Sequence, residues 1–172
     1  MSDLEHSEGM EALRDTSADA LALQYRPRVY RFCRALLGSE ADAEDATQNV
    51  FLTVARRRHE LPEILRPLPW LLQIARLTCL NLRRERDRRP ASSAEIDAPV
   101  KVGPPIAPTE SLDRLRAAIQ KLPERYRAVL ALHYQQGMSH EEMAGVLGLS
   151  RGALRVLLHR AVTRLREEAR SS

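Results

Sequence analysis

The stretch Pro90–Thr109 limits what this chain can become more than any other. It is rich in Pro, Ala and Ser, contains Gly103-Pro104-Pro105, and has no helical or strand periodicity. Proline lacks an amide proton and clashes with the preceding turn, so no helix can run through such a stretch. A chain of 172 residues is thereby divided into two halves, each with its own apolar faces to bury. The stretch is expected to be an extended, flexible linker, and roughly 20 residues can span on the order of 60 Å.

Both halves repeat apolar residues at helical spacing, so the expected fold class is all-α. Two small helical domains, 17–89 and 110–172, are joined by the Pro-rich linker 90–109, and the second contains a helix-turn-helix. Ahead of them, residues 1–16 are polar and acidic without a period, and are expected to be a disordered lead-in. Net charge is +4 and the pI is near 9.5. A mildly basic balance points to nucleic acid only where the charge is clustered.

In the first half, Leu21, Tyr25, Val29, Phe32, Cys33 and Leu36 share one helix face, which Gly38 closes. Pro27 inside that run predicts a kink or a break near Arg26. Ser39 caps the next helix, and Glu40, Asp42, Glu44 and Asp45 favour its dipole. Ala43, Ala46, Val50, Phe51 and Val54 form its buried stripe. Asp45, Gln48, Asn49 and Leu52 point elsewhere, a solvated face unless a basic partner docks there. The segment His59–Pro69 carries three prolines and reads as a loop offering Ile64, Leu65 and Leu68 to its own domain or to a ligand. Trp70 is expected to open a long helix with Leu71, Ile74, Ala75, Thr78 and Leu82 inward. That helix ends at Arg83–Arg89, where five arginines outweigh two acids. Such an end is either solvated or a nucleic-acid face.

In the second half, Ser111–Leu122 predicts an amphipathic helix with Leu112, Leu115, Ala118, Ile119 and Leu122 inward. Pro123 begins another, carrying Tyr126, Val129, Leu130 and His133 as far as Gly137. Ser139 and Glu142 then form a capping box, Gly148 stops a short helix in the left-handed conformation, and Ser150 caps a second. Leu154, Leu157, Leu158, Ala161 and Leu165 give that last helix a buried face. Its opposite face carries Gly152, Arg155, Val156, His159, Thr163 and Arg166. Helix, glycine turn and helix with a basic outer face is the pattern whose second helix enters the DNA major groove. Arg155, His159 and Arg166 can meet phosphates or base edges, and Val156 a thymine methyl. The alternative is an ordinary helical hairpin with a solvated basic face; the caps, the turn and the charge agree better with DNA.

Other chemistry is thin. Cys33 and Cys79 lack metal-ligand spacing and fall on buried faces, so core packing is their expected role. His133 reads as a partly buried surface histidine. No metal, cofactor or small-molecule substrate is expected. No residue set has catalytic spacing and no glycine loop could cradle phosphates, so the chain is not expected to be an enzyme. With no apolar run long enough for a membrane and no signal peptide, a cytoplasmic protein is expected.

Three blocks in order carry a family resemblance: Asp42-Ala43-Glu44-Asp45-Ala46-Thr47-Gln48-Asn49-Val50-Phe51; then Pro69-Trp70-Leu71-Leu72-Gln73-Ile74-Ala75-Arg76 with Asn81 and Arg83-Arg84; then Leu122-Pro123-Glu124-Arg125-Tyr126-Arg127-Ala128-Val129, followed by Gly137 to Ala144 and Leu147 to Ser150. In this order across a Pro-rich linker the chain resembles the small, two-domain bacterial sigma factors of the extracytoplasmic-function group. The resemblance implies binding to core RNA polymerase, with Asp42, Asp45, Gln48, Asn49 and Leu52 against its clamp helices and the second domain near its flap. It implies opening of the −10 promoter element by Leu65, Arg66, Trp70, Arg76, Leu77, Asn81, Arg83, Arg84 and Arg86. It implies reading of the −35 element by Ser150, Arg151, Gly152, Arg155, Val156, His159 and Arg160. An anti-sigma partner is also implied.

The chain departs from that family's pattern at Leu77, where Asn is usual, and at Asn81, where Asp is. Asn49 follows Gln48 where the family has Glu. Val156 and Leu157 replace a polar and a basic residue of the recognition helix, so an unusual or weak −35 grip is expected. The rival readings are a stand-alone helix-turn-helix regulator, and an adaptor that binds polymerase or an anti-sigma protein without promoter activity.

Overall fold

A computed structural model describes residues 18–88 and 110–171. The expectations for the N-terminal lead-in and the linker lie outside the described residues. Seven α-helices are described: α1 (Ala18–Leu37), α2 (Glu40–Arg56), α3 (Pro67–Arg88), α4 (Glu110–Lys121), α5 (Glu124–Leu130), α6 (His140–Leu147) and α7 (Arg151–Ser171). A 3-10 turn, Arg58–Glu63, precedes α3, and a π-helical turn, Ala131–Gln135, follows α5. There is no strand among the described residues.

The first group, α1 to α3, is a three-helix bundle in which every pair of helices packs. Leu21, Val29, Phe32, Cys33 and Leu36 of α1 meet Ala43, Ala46, Val50 and Val54 of α2 and Leu71, Leu72, Ala75 and Cys79 of α3. Ser39 accepts from the Asp42 amide at 3.2 Å, the cap that starts α2. Thr47, wholly inside, satisfies its hydroxyl on the Ala43 carbonyl at 2.6 Å. The two cysteines are buried and unbridged, as the apolar faces required. The Cys33 thiol beside it, together with burial, pushes the Cys79 thiol far above its ordinary value, so it packs as a neutral group.

The structure refines three expectations here. Of the kink or break expected near Arg26, the break does not occur: helix α1 runs through Pro27. Pro27 lies on the solvent side and Leu23, one turn earlier, is 85% exposed, so water can serve the carbonyl that loses its donor. Helix α3 begins at Pro67 rather than Trp70. Prolines are tolerated in a first turn because those amides have no intrahelical acceptor. Ile64 and Leu68 are half-buried, leaving only Leu65 of that trio fully presented, at 94% exposure.

In the second group, α5 and α4 pack on α7, and α6 closes one end. Ala118, Leu122, Val129, Leu132, Met143, Leu147, Leu154 and Ala161 are its buried centre. Leu112 and Leu115, expected inward, are exposed, because only the C-terminal half of α4 turns its apolar face onto neighbours. Arg127 is buried as well. It donates to Gln120 Oε1 at 3.1 Å, and burial pulls its pKa below the usual arginine value.

The two groups are in contact. Helix α6 packs on α3, and α5 with its π-turn packs on α1, so the buried residues of both groups form one contiguous core. At the junction Gly38 has φ +79°, and a Cβ there would approach Gln120 Oε1 of α4 to 2.8 Å. Glycine is needed here for the left-handed helix end; the Gln120 side-chain tip could move aside.

Candidate nucleic-acid interface

The helix-turn-helix is built by local chemistry. Ser139 Oγ accepts from the Glu142 amide, and Glu142 Oε2 accepts from the Ser139 amide at 2.9 Å, closing the capping box. Gly148, at φ 66°, takes the left-handed cap that ends α6. Ser150 Oγ accepts from the Ala153 amide at 3.2 Å and starts α7. Leu154 and Ala161 face inward with no exposed surface, and Leu157, Leu158 and Leu165 are half-buried beside them. The other face is open: Gly152, Arg155, Val156, His159, Arg160, Thr163 and Arg166 are all exposed, Val156 at 50%. Arg151, at the head of the same face, is paired with Glu141 at 3.0 Å. A helix with its apolar side anchored and its basic side bare presents charge to a phosphate backbone without rearrangement.

The second constellation lies along α3 and the turn before it. Trp70 is half-buried, with the Arg57 guanidinium 5.7 Å from its ring centroid. Arg57 is itself held in a two-pronged pair with Glu60, at 2.8 and 2.7 Å. Further along, Arg76 and Arg83 are half-buried, while Leu77, Asn81, Arg84 and Arg86 are exposed. The residues expected at the −10 element therefore follow one helix and its leading loop.

Two of them are engaged within the protein. Arg86 donates to Asp42 at 2.5 Å, joining a residue expected on DNA to one expected on polymerase. Arg66 donates to Glu142 Oε1 at 3.1 Å, so the carboxylate that caps α6 also binds the loop before α3. The other residues expected to face polymerase, Asp45, Gln48, Asn49 and Leu52, line the outer side of α2 and are exposed.

Between the groups lies an open cleft of about 600 Å³, walled by Leu65, Arg66, Trp70 and Gln73 on one side and Glu141, Glu142, Gly145 and Val146 on the other. Sequence reasoning missed this juxtaposition. It also missed Gln136, which is only 5% exposed and bonds to Arg28 across the junction. In sequence Gln136 is one polar residue in a helix end, and nothing in its spacing marks it as buried.

Residues 21–89 match the family Sigma-70 region 2, and residues 112–165 match Sigma-70, region 4. The chain is 35% identical over 163 residues to the RNA polymerase sigma factor CarQ of Myxococcus xanthus, spanning 92% of this chain and 94% of that protein. It is 30% identical to the ECF RNA polymerase sigma factor SigL of Mycobacterium tuberculosis, over 91% of this chain and 86% of that one. Among solved structures, the sigma factor RpoE of Bartonella quintana, crystallised with the anti-sigma factor NepR, superposes with a TM-score of 0.72 at 21% identity, covering 88% of this chain and 96% of its own. CnrH, solved with the cytosolic domain of CnrY, gives 0.65 at 22% identity over 95% and 96% of the two chains. At such identities these two structures speak for the fold alone. Sequence matches and fold lead to one family: the chain belongs to the extracytoplasmic-function RNA polymerase sigma factors, which direct polymerase to promoters.

Proposed function

We propose that this sigma factor divides its work between two domains, 17–89 and 110–172, joined by the linker 90–109. The observation that carries the reading is the bare outer face of α7, held over Leu154 and Ala161, in a chain that also matches region 2. In this reading α7 enters the major groove at the −35 element. Arg155, His159 and Arg160 take phosphates or base edges, Val156 a thymine methyl, and Ser150, Arg151 and Gly152 the backbone at the helix N-terminus. With Val156 and Leu157 where the family places polar and basic residues, that grip leans more on methyl contact than on charge.

At the −10 element Leu65, Arg66 and Trp70 receive an unstacked base, and Arg76, Leu77, Asn81, Arg83, Arg84 and Arg86 follow the backbone of the parted strand. Unstacking costs a few kcal/mol, offset by pocket contacts and by polymerase. Asp42, Asp45, Gln48, Asn49 and Leu52 rest on the clamp helices. The chain contributes binding energy only; phosphodiester chemistry belongs to polymerase, and the place of action is the cytoplasm. An anti-sigma partner is part of the proposal, supported by the similar RpoE and CnrH folds, each solved with such a partner or its domain.

The test is co-elution with core RNA polymerase followed by transcription from the protein's own upstream region. Binding with initiation is the expected result. Binding without initiation would leave the adaptor, and a tight shift of free duplex without polymerase binding would leave a stand-alone regulator.

A further inference from the structure

The outward side of α3 carries an order of side chains that packing alone does not require. The helix buries Leu71, Leu72, Ile74, Ala75 and Cys79, so the side away from them meets water or a ligand. At 100° and 1.5 Å per residue, Trp70, Gln73, Leu77, Asn81 and Arg84 fall within an arc of roughly 80° along about 21 Å of helix. Trp70 is half-buried, and Gln73, Leu77, Asn81 and Arg84 are exposed. An aromatic ring stands at one end of this stripe and a cation at the other, with a side-chain amide on each side of the middle. Such a succession suits a single strand, whose bases stack on rings while its phosphates follow cations. Leu77 is the exception. It sits at the centre of the stripe in both angle and length, and it is 50% exposed. It has no donor for a phosphate, and neither donor nor acceptor for a base edge.

We propose that Leu77 selects thymine on the parted −10 strand by packing against the C5 methyl of one base. The proposal rests on the −10 role of α3 and sharpens it: a leucine cannot hold a phosphate, so its part along that strand is to touch a base. Thymine alone among the DNA bases carries a methyl group on that edge. Burying one methyl against an apolar side chain strengthens binding by about three- to five-fold. A cytosine in the same place presents only a hydrogen at C5 and forfeits that gain. A purine turns N7 and its exocyclic group toward a side chain that can bond neither, and a polar group left unpaired out of water opposes binding. Gln73 and Asn81, about one turn to either side, keep donors and acceptors for neighbouring bases, and Arg84 supplies charge for the phosphates. The middle of the stripe thus reads shape and apolar contact, and its flanks read hydrogen bonds.

The test uses holoenzyme made from the full chain and core polymerase, on the promoter in the protein's own upstream region. Each non-template thymine of the −10 element is replaced in turn by deoxyuridine, which pairs in the same way and lacks only the methyl. One replacement should lower open-complex formation by about three- to five-fold. The same replacement should have no effect on the Leu77→Ala holoenzyme. At that position 5-methylcytosine should open better than cytosine with the unaltered chain, and no better with Leu77→Ala. Leu77→Met keeps an apolar tip and should retain the methyl dependence, which separates a contact with the base from a general disturbance of α3. Opening that depends on no methyl, or a methyl dependence that persists in Leu77→Ala, would overturn the proposal. So would weaker binding of Leu77→Ala to core polymerase with the methyl dependence intact, which would assign the side chain to a protein contact. Failure of the −10 role itself reads differently: opening would then be unchanged when Arg83, Arg84 and Arg86 are replaced together.

Discussion

The two regions proposed to face DNA differ in how they are kept. The outer face of α7 is largely open: Arg151 at its start is paired with Glu141, and Arg164, further along the helix, with Glu167 and Glu168. The surface around Trp70 is lined by another part of the same chain, with Arg66 held by Glu142; at the far end of α3, Arg86 is held by Asp42. The α7 face comes from one helix and its two caps, so it forms as soon as that helix packs. The Trp70 surface is a loop and a helix start, where irregular backbone and apolar side chains gain from a neighbour. On the proposed roles, a face that reads duplex can remain open, whereas one that captures an unstacked base gains from being covered until a base is available.

The largest expected effect would break this contrast from below. Leu154→Ala removes the floor of α7 and should cost about 2–5 kcal/mol, read by chemical denaturation. If α7 held itself up without its buried side, the loss would be far smaller. Next, replacing Arg83, Arg84 and Arg86 together with Ala should reduce open-complex formation and flatten its salt dependence by about 2–3 units of slope. Arg86→Ala alone should contribute least, since its guanidinium is already held by Asp42; an equal share for Arg86 would mean that DNA takes it from Asp42 at no cost. Arg155→Ala tests the open face. It should weaken promoter binding by holoenzyme by about 1–3 kcal/mol while leaving opening of a pre-melted template unchanged.

The smallest effect concerns pH. The Ser139 amide and hydroxyl, with Arg66 adding charge, hold the Glu142 carboxyl below its ordinary value of 4.5. Its folded pKa is depressed, so its contribution is fully present above the unfolded value and is lost as pH falls through the folded one. Acidification below about 4.5 should therefore loosen α6 and raise Trp70 quenching together. In Glu142→Gln this part of the pH response should vanish; persistence would assign it to other carboxylates.

Sequence alone determined much of this. The apolar periodicities gave the helices and the inward faces of α1, α2 and α7, because burying an amphipathic stripe is a local demand. Ser39, Ser139, Gly148 and Ser150 marked helix ends that the structure places where expected, because a cap is satisfied within four residues of itself. The start of α3 was read late, since Pro67 and Pro69 look like loop signals although a first turn accepts them. Leu112 and Leu115 were read as inward because periodicity reports an apolar stripe without saying whether a neighbour covers it. The pairing of the groups was not legible at all. Arg28 with Gln136 is a contact 108 residues apart, and Arg66 with Glu142 is one 76 apart. Only the tertiary structure decided these, because polar residues carry no periodic signal and find their partners through the geometry of everything packed between them.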